Sequence, residues 1–183
     1  MKTYSDASSD LTTTIDRMAA EYHDDLAQVT ISALFVFDDE DSLPCLKHQG
    51  YPAAAVVRIT PIRDRALGVP DAIITVDRAT WQTLSAPQKN ALIDHELEHL
   101  ELVIDAETGK PKYDALERPK LRMRRHDHQL GWFADVARRH GEASCEVRQA
   151  RQLIEQTGQL YFDFATWAEE TPTAQTERRV EAH

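Results

Sequence analysis

Ala91 to Ile104 reads A-L-I-D-H-E-L-E-H-L-E-L-V-I. Residues four apart are neighbours on a helix, so His95 and His99 share one face, with Glu96 one position after the first. At about 100° per residue, Ile93, Leu97, Leu100 and Ile104 fall in one sector, nearly opposite the two histidines. Leu92, Leu102 and Val103 flank the histidines, and Asp94, Glu98 and Glu101 make the remaining polar sector. A helix of this register is covered on two sides, and histidines that merely decorate a surface do not usually sit among Leu and Val. Upstream, Ser85-Ala-Pro-Gln supplies an N-cap at Ser85 and a proline, Pro87, in the first turn.

His-Glu-x-x-His on a helix has the geometry of zinc hydrolysis. Two neutral imidazoles hold the ion, and the carboxylate, Glu96, takes a proton from the water that zinc activates. The expectation is a Zn²⁺-dependent peptidase with Glu96 as catalytic base and a protein or peptide as substrate. A di-iron reading of Glu96-x-x-His99 fails because a four-helix carboxylate site wants a second such motif, and none exists here.

A catalytic zinc needs a third protein ligand and an open fourth position. The densest candidate is His126-Asp127-His128, which opens a helical pattern of Leu130, Phe133, Val136, Ala137 and His140 before Gly141 stops it. With Asp127 as cap, His128 lies in the first turn and points back toward His95 and His99, whereas His126 diverges. Glu142 and Glu146 are the acidic alternatives, and His140 is better explained as a C-terminal residue favoured by the helix dipole. Tyr113, Arg124 and His126 are the candidates for stabilising an oxyanion.

Composition sets the boundaries. A chain of 183 residues with 42% hydrophobic content is long enough for one domain with a real core. We expect that domain over residues 1–165, followed by a polar, disordered tail over 166–183. The net charge of −10 argues against direct nucleic-acid binding and against an anionic membrane surface. Two cysteines a hundred positions apart make no disulfide framework. The N-terminus lacks the apolar core of a secretory signal, and no run reaches membrane-spanning length. A cytoplasmic setting follows.

The fold class expected is α+β. Residues 1 to 8 are polar and read as loose. A helix runs from about Asp10 to Leu26, capped by Ser9 or Asp10, and His23 beside Asp24 and Asp25 reads as solvated surface. Val29–Phe37, Ala53–Thr60 and Asp71–Val76 read as strands of a small mixed or antiparallel sheet of three or more strands packed on helices. Cys45-x-x-His48 resembles half of a zinc pair, but with no second half it reads as ordinary loop. An active-site cleft is expected between the edge of the last strand and the metal helix, where an extended substrate adds as a strand. Beyond it, Thr108-Gly109 marks a hairpin tip and Leu121–Arg125 a short extended piece. Arg118, Lys120, Arg122, Arg124 and Arg125 read as solvated charge. Val147–Gln156 forms an amphipathic helix, and the aromatic segment from Leu160 to Trp167 packs on the core.

Trp81, N-A-L-I-D-H-E-L-E-H-L, a hairpin, and then H-D-H-Q-L-G-W-F-A-D-V-A-R-R-H-G together resemble the putative phage metallopeptidase family, over roughly residues 10 to 142. The resemblance implies a short N-terminal helix, a few strands, a zincin-like active-site helix, and later a histidine that opens a helix with Phe five and Gly thirteen positions on. His128, Phe133 and Gly141 satisfy that spacing and His126 does not, so the resemblance implies His128 as third ligand beside His95 and His99. Gly131-Trp132 departs from the polar, often acidic pair that the family would carry there. The wider similarity is to compact zinc peptidases such as the SprT-like proteases, without their DNA-binding appendage. It further implies a phage- or prophage-encoded protein acting on a specific protein partner. The rival from another class is a binding or regulatory module of peptidase-like fold with a structural metal in a closed shell.

Overall fold

The computed structural model describes residues 1–38, 44–126 and 132–157. By internal contacts the chain divides into two units, Met1–Gln149 and Ala150–His183. The second is described only over residues 150–157, helical throughout, and the aromatic segment and polar tail lie outside the described residues. The elements in order are β1 (Lys2–Asp6), α1 (Ser9–Tyr22), a 3-10 turn at Asp24–Leu26, β2 (Ile31–Asp38), β3 (Lys47–His48), β4 (Tyr51–Pro52) and β5 (Ala55–Ile59). Then come α2 (Ile62–Arg65), β6 (Ala72–Asp77), α3 (Arg78–Thr83), α4 (Ala86–Glu98), β7 (Leu100–Leu102), β8 (Leu121–Met123), α5 (Ala134–His140), a 3-10 turn at Gly141–Ala143 and α6 (Cys145–Thr157).

The α+β class holds, with a mixed four-stranded sheet in the order β1-β2-β6-β5. The first eight residues are not loose: β1 pairs antiparallel with β2, Thr3 opposite Phe37 and Ser5 opposite Phe35. β2 and β6 run parallel because β5 and β6 form an antiparallel pair of which β6, not β5, docks on β2. That docking is fixed where the two strands begin. Thr30 donates its backbone N–H and its hydroxyl to Asp71 Oδ2 at 2.8 and 2.7 Å, and Asp71 N–H returns to the Thr30 carbonyl at 2.8 Å. The open edge beside the metal-motif helix is therefore β5, one strand earlier in sequence than the last strand. Ala55 and Val57 of β5, Ala72, Ile74 and Val76 of β6, and Phe35 of β2 bury their side chains against Leu11, Ile15 and Met18 of α1 and Ile93 and Leu97 of α4. Each Val, Leu, Ile, Met or Phe among them contributes roughly 1.5–3 kcal/mol.

The motif helix is shorter than its apolar pattern. It ends at Glu98, with His99 still helical in conformation (φ −72°, ψ −19°) as its C-cap. Leu100–Leu102 leave as a strand because β8 lies opposite, pairing Leu100 with Met123 and Leu102 with Leu121. At its start, Ser85 N–H donates to Gln88 Oε1 at 3.0 Å. The turn at 105–109 forms as expected, with Gly109 N–H on the Asp105 carbonyl at 2.9 Å and Gly109 at φ +66°. Among the described residues no helix is long and apolar enough to cross a membrane.

The acidic sector of α4 is the largest departure from the sequence reading. Asp94 is fully buried and accepts hydrogen bonds from His23 Nε2 at 2.7 Å, Arg139 Nε and Nη2 at 2.8 and 3.0 Å, and His140 Nε2 at 2.7 Å. His23, read as solvated, is instead buried at the end of α1. One carboxylate thus joins α1, α4 and α5, and α4 is enclosed on its third side as well.

Burial opposes ionisation of Asp94, but the hydrogen bonds from His23, Arg139 and His140 and the charge of Arg139 outweigh it and hold its pKa at about 2, below the ordinary 3.8. A depressed carboxylate stabilises the fold fully above its unfolded pKa and loses that contribution as pH falls toward the folded one, here roughly 2 kcal/mol between about pH 4 and about pH 2. Asp94→Asn should remove this acid transition and cost about 3 kcal/mol at neutral pH, because the half-buried Arg139 loses its ion pair with Asp94 and is left with Glu98. Urea unfolding at a series of pH values measures both.

Candidate metal centre

Three imidazoles converge at the C-terminal end of α4. His95 and His99 come from the helix and its cap, and His126 comes from the segment after β8. His126 Nε2 lies 3.3 Å from His95 Nε2, and the ligand atoms of the three rings all lie within 4.8 Å of one another. All three rings rest on Phe133, which is fully buried, with centroid separations of 5.0, 4.8 and 4.9 Å. Phe133 precedes α5 in extended conformation (φ −103°, ψ 123°) and is not part of a helix opened by His128. His128 lies outside the described residues, as does Asp127.

The far nitrogens of the two α4 histidines are already committed. His95 donates from Nδ1 to Glu146 Oε1 at 2.7 Å, and Glu146 is itself nearly fully buried at the start of α6. His99 Nδ1 lies 2.9 Å from the Arg124 carbonyl, which can only accept. The proton on His99 is therefore on Nδ1, and its Nε2 lone pair faces the other rings. Glu146 is thus the partner that orients His95, on the side of the ring away from Nε2. Glu142 is not in the cluster of ligand atoms, and His140 is occupied by Asp94.

Glu96 points elsewhere. It is buried, and its Oε2 accepts the backbone N–H of Val57 on the edge strand β5 at 2.7 Å. Burial pushes its pKa up, while the charge of His95 and the Val57 N–H partly offset that. A carboxylate moved toward neutrality is better matched to proton transfer near pH 7. For His99, burial first, and then the charges of His95, His126 and His48, outweigh the Arg124 carbonyl and hold the ring at about 4, so it stays neutral. His95 behaves oppositely. Burial disfavours its charge, but the hydrogen bond to Glu146 and the charges of Glu96, Glu146 and Asp94 raise its pKa, so protons compete with a cation for this ring.

Glu96 and the three histidines line one open cleft of about 430 Å³, walled by Ala53 to Val57 on one side and by Met123, Cys145 and Gln149 on others. His48, of the sequence read as ordinary loop, also borders it, on the β3–β4 hairpin. Cys45 does not, and donates its backbone N–H to Asp77 instead. Of the proposed oxyanion stabilisers, Tyr113 donates to Gln28 at 2.8 Å and Arg124 pairs with Glu98 and stacks on Phe133; neither borders the cleft. Arg122 is likewise paired, with Glu101, and Arg118 with Asp71, so the basic cluster is largely neutralised by neighbours.

The family model described as putative phage metallopeptidase matches residues 2–161. No curated protein and no solved structure matches the chain.

Glu146→Ala should lower affinity for a divalent cation about 10- to 100-fold, because the His95 ring loses the partner that fixes its tautomer and direction. Competition titration of the full chain with a chromogenic zinc chelator reads this directly, and an unchanged affinity would remove Glu146 from the centre.

Proposed function

The chain belongs to the putative phage metallopeptidase family, and from that premise we propose that it is a zinc peptidase with Glu96 as base and His95, His99 and His126 as metal ligands. The observation that carries the reading is the convergence of three imidazole nitrogens beside a buried carboxylate that is tied to an open strand edge. A metallopeptidase family implies a metal and a protein or peptide substrate, and the donor set here fits one. Three imidazoles, two with Nδ1 committed to acceptors, offer the nitrogen-rich set that zinc prefers. Zinc held there supplies Lewis acidity, making water a nucleophile near neutral pH and polarising a carbonyl.

The residues of the chain do the rest. Glu96 receives the proton of the attacking water and returns it to the amine that leaves. Its hydrogen bond to Val57 N–H holds one oxygen of the carboxylate at the strand edge, so the acceptor for the proton is kept in a fixed direction. An extended substrate fits along β5. Ala53 N–H is taken by the Leu46 carbonyl at 3.0 Å and Val57 N–H by Glu96, so Ala55, between them on the outward-facing rung, is the residue that pairs with it. The engagement of Glu146 by the Nδ1 side of His95 favours an open shell over the closed shell of a structural metal. A phage- or prophage-encoded, cytoplasmic enzyme acting on a dedicated protein partner remains the setting that we propose, and residues 1–165 its catalytic domain.

Glu96→Gln should retain one equivalent of zinc and lose hydrolysis by about a thousandfold or more, read on a cleaved substrate trapped with that same variant. His126→Ala should lose the metal under conditions where His128→Ala keeps it, measured as bound zinc per chain. The reverse result would make His128 the third ligand, as the spacing to Phe133 and Gly141 implies.

A further inference from the structure

Negative charge that develops on a substrate carbonyl oxygen is stabilised most by a donor already in place. Tyr113 and Arg124 are committed away from the cleft. His48 is on its wall, exposed, and its side chain makes no hydrogen bond or ion pair with any described residue. It also lies near enough to His99 for its charge to disfavour protonation of that ring.

The hairpin that carries His48 is anchored at its base. Leu46 and Cys45 donate their backbone N–H groups to Asp77 Oδ2 at 3.0 and 2.7 Å, and Asp77 is fully buried. The other oxygen of Asp77 accepts from Thr80 N–H at 2.9 Å and so caps α3. Above that base, Ala53 N–H bonds the Leu46 carbonyl and His48 pairs with Tyr51. Gln49 and Gly50 close the turn at φ +50° and +88°, the conformation whose twist matches a two-residue hairpin. A glutamine held in the left-handed region is uncommon, and here it keeps the hairpin as short as a hairpin can be.

We propose that His48 is a substrate-contacting residue of the peptidase site, donating a ring N–H to the carbonyl oxygen of the scissile bond from the β3–β4 hairpin. The proposal rests on the peptidase reading above. His48 moves no proton in the reaction; it supplies a hydrogen bond that strengthens as the oxygen gains charge.

The test uses the full chain loaded with zinc and a phosphinic pseudo-tetrapeptide of alanine residues, whose tetrahedral anion stands in for that charged oxygen. By calorimetry, His48→Ala should bind it about 100-fold more weakly than the wild type, with bound zinc and melting curve unchanged. His48→Gln, which keeps an N–H donor, should recover at least about tenfold of that loss. On a substrate whose cleavage Glu96→Gln abolishes, His48→Ala should lower kcat far more than it changes KM. Pseudopeptide binding by His48→Ala within about twofold of wild type, or failure of His48→Gln to rescue, overturns the role of His48 and leaves the peptidase reading intact. A wild type that neither binds the pseudopeptide in a zinc-dependent way nor cleaves in a Glu96-dependent way overturns both.

Discussion

A single carboxylate without contact to water, Asp94, determines how the helices of this protein meet. It collects His23 from the end of α1 and Arg139 and His140 from α5, and it sits one residue before the first histidine of the metal motif. A buried charge is tolerable only when its partners are complete, so the packing of α1 and α5 on α4 is specified by direction as well as by area. Arg139 extends the same network to Glu98 at 3.1 Å, next to His99. The placement of the histidines is thus inherited from an ion cluster on the adjoining face of the helix.

The last turn of α4 divides its work by direction. Asp94 faces the helices, Ile93 and Leu97 face the sheet core, His95 faces Glu146 and His126, and Glu96 reaches the N–H of Val57 on β5. None of these positions is open surface. The strand edge is thereby tied to the helix, because the Val57 amide that would otherwise pair with a neighbouring strand fixes the direction of the Glu96 carboxylate.

Much of this was legible in the sequence, and the failures have causes. The helix carrying His95 and His99, the three strands after α1 and the turn at 105–109 all announce themselves by periodicity or turn chemistry. β1 was missed because Lys2–Asp6 alternates around exposed residues at a sheet edge, where nothing apolar marks a strand. The end of α4 was missed because Leu100 and Leu102 serve a strand and a helix equally well until β8 is in view. His23 and Asp94 looked like surface because a polar residue next to other polar residues says nothing of a partner 71 positions away. Glu146 entered the sequence reading only as an alternative third ligand beside Glu142, and it meets Nδ1 of His95 instead: spacing reveals a carboxylate and cannot say which nitrogen of a ring it meets. His48 stood out only as half of a zinc pair and was set aside as loop, since its place beside the cleft depends on how β3 and β4 pair.

The parallel pairing of β2 with β6 bears on how the chain assembles. Thr30 must find Asp71, 41 positions later, before the sheet can join its two halves. The hairpin of β3 and β4, the antiparallel pair of β5 and β6, and α4 are by contrast contiguous and close only short loops. Contacts of small sequence separation form at lower entropic cost and sooner. The cleft itself is not local in this sense: Glu96 meets Val57 across 39 positions, nearly as far as Thr30 from Asp71, and His95 meets Glu146 across 51. Loop closures of that size are costly one at a time, so the carboxylate, the strand edge and the nest of histidines come together only with the sheet and the helices that carry them.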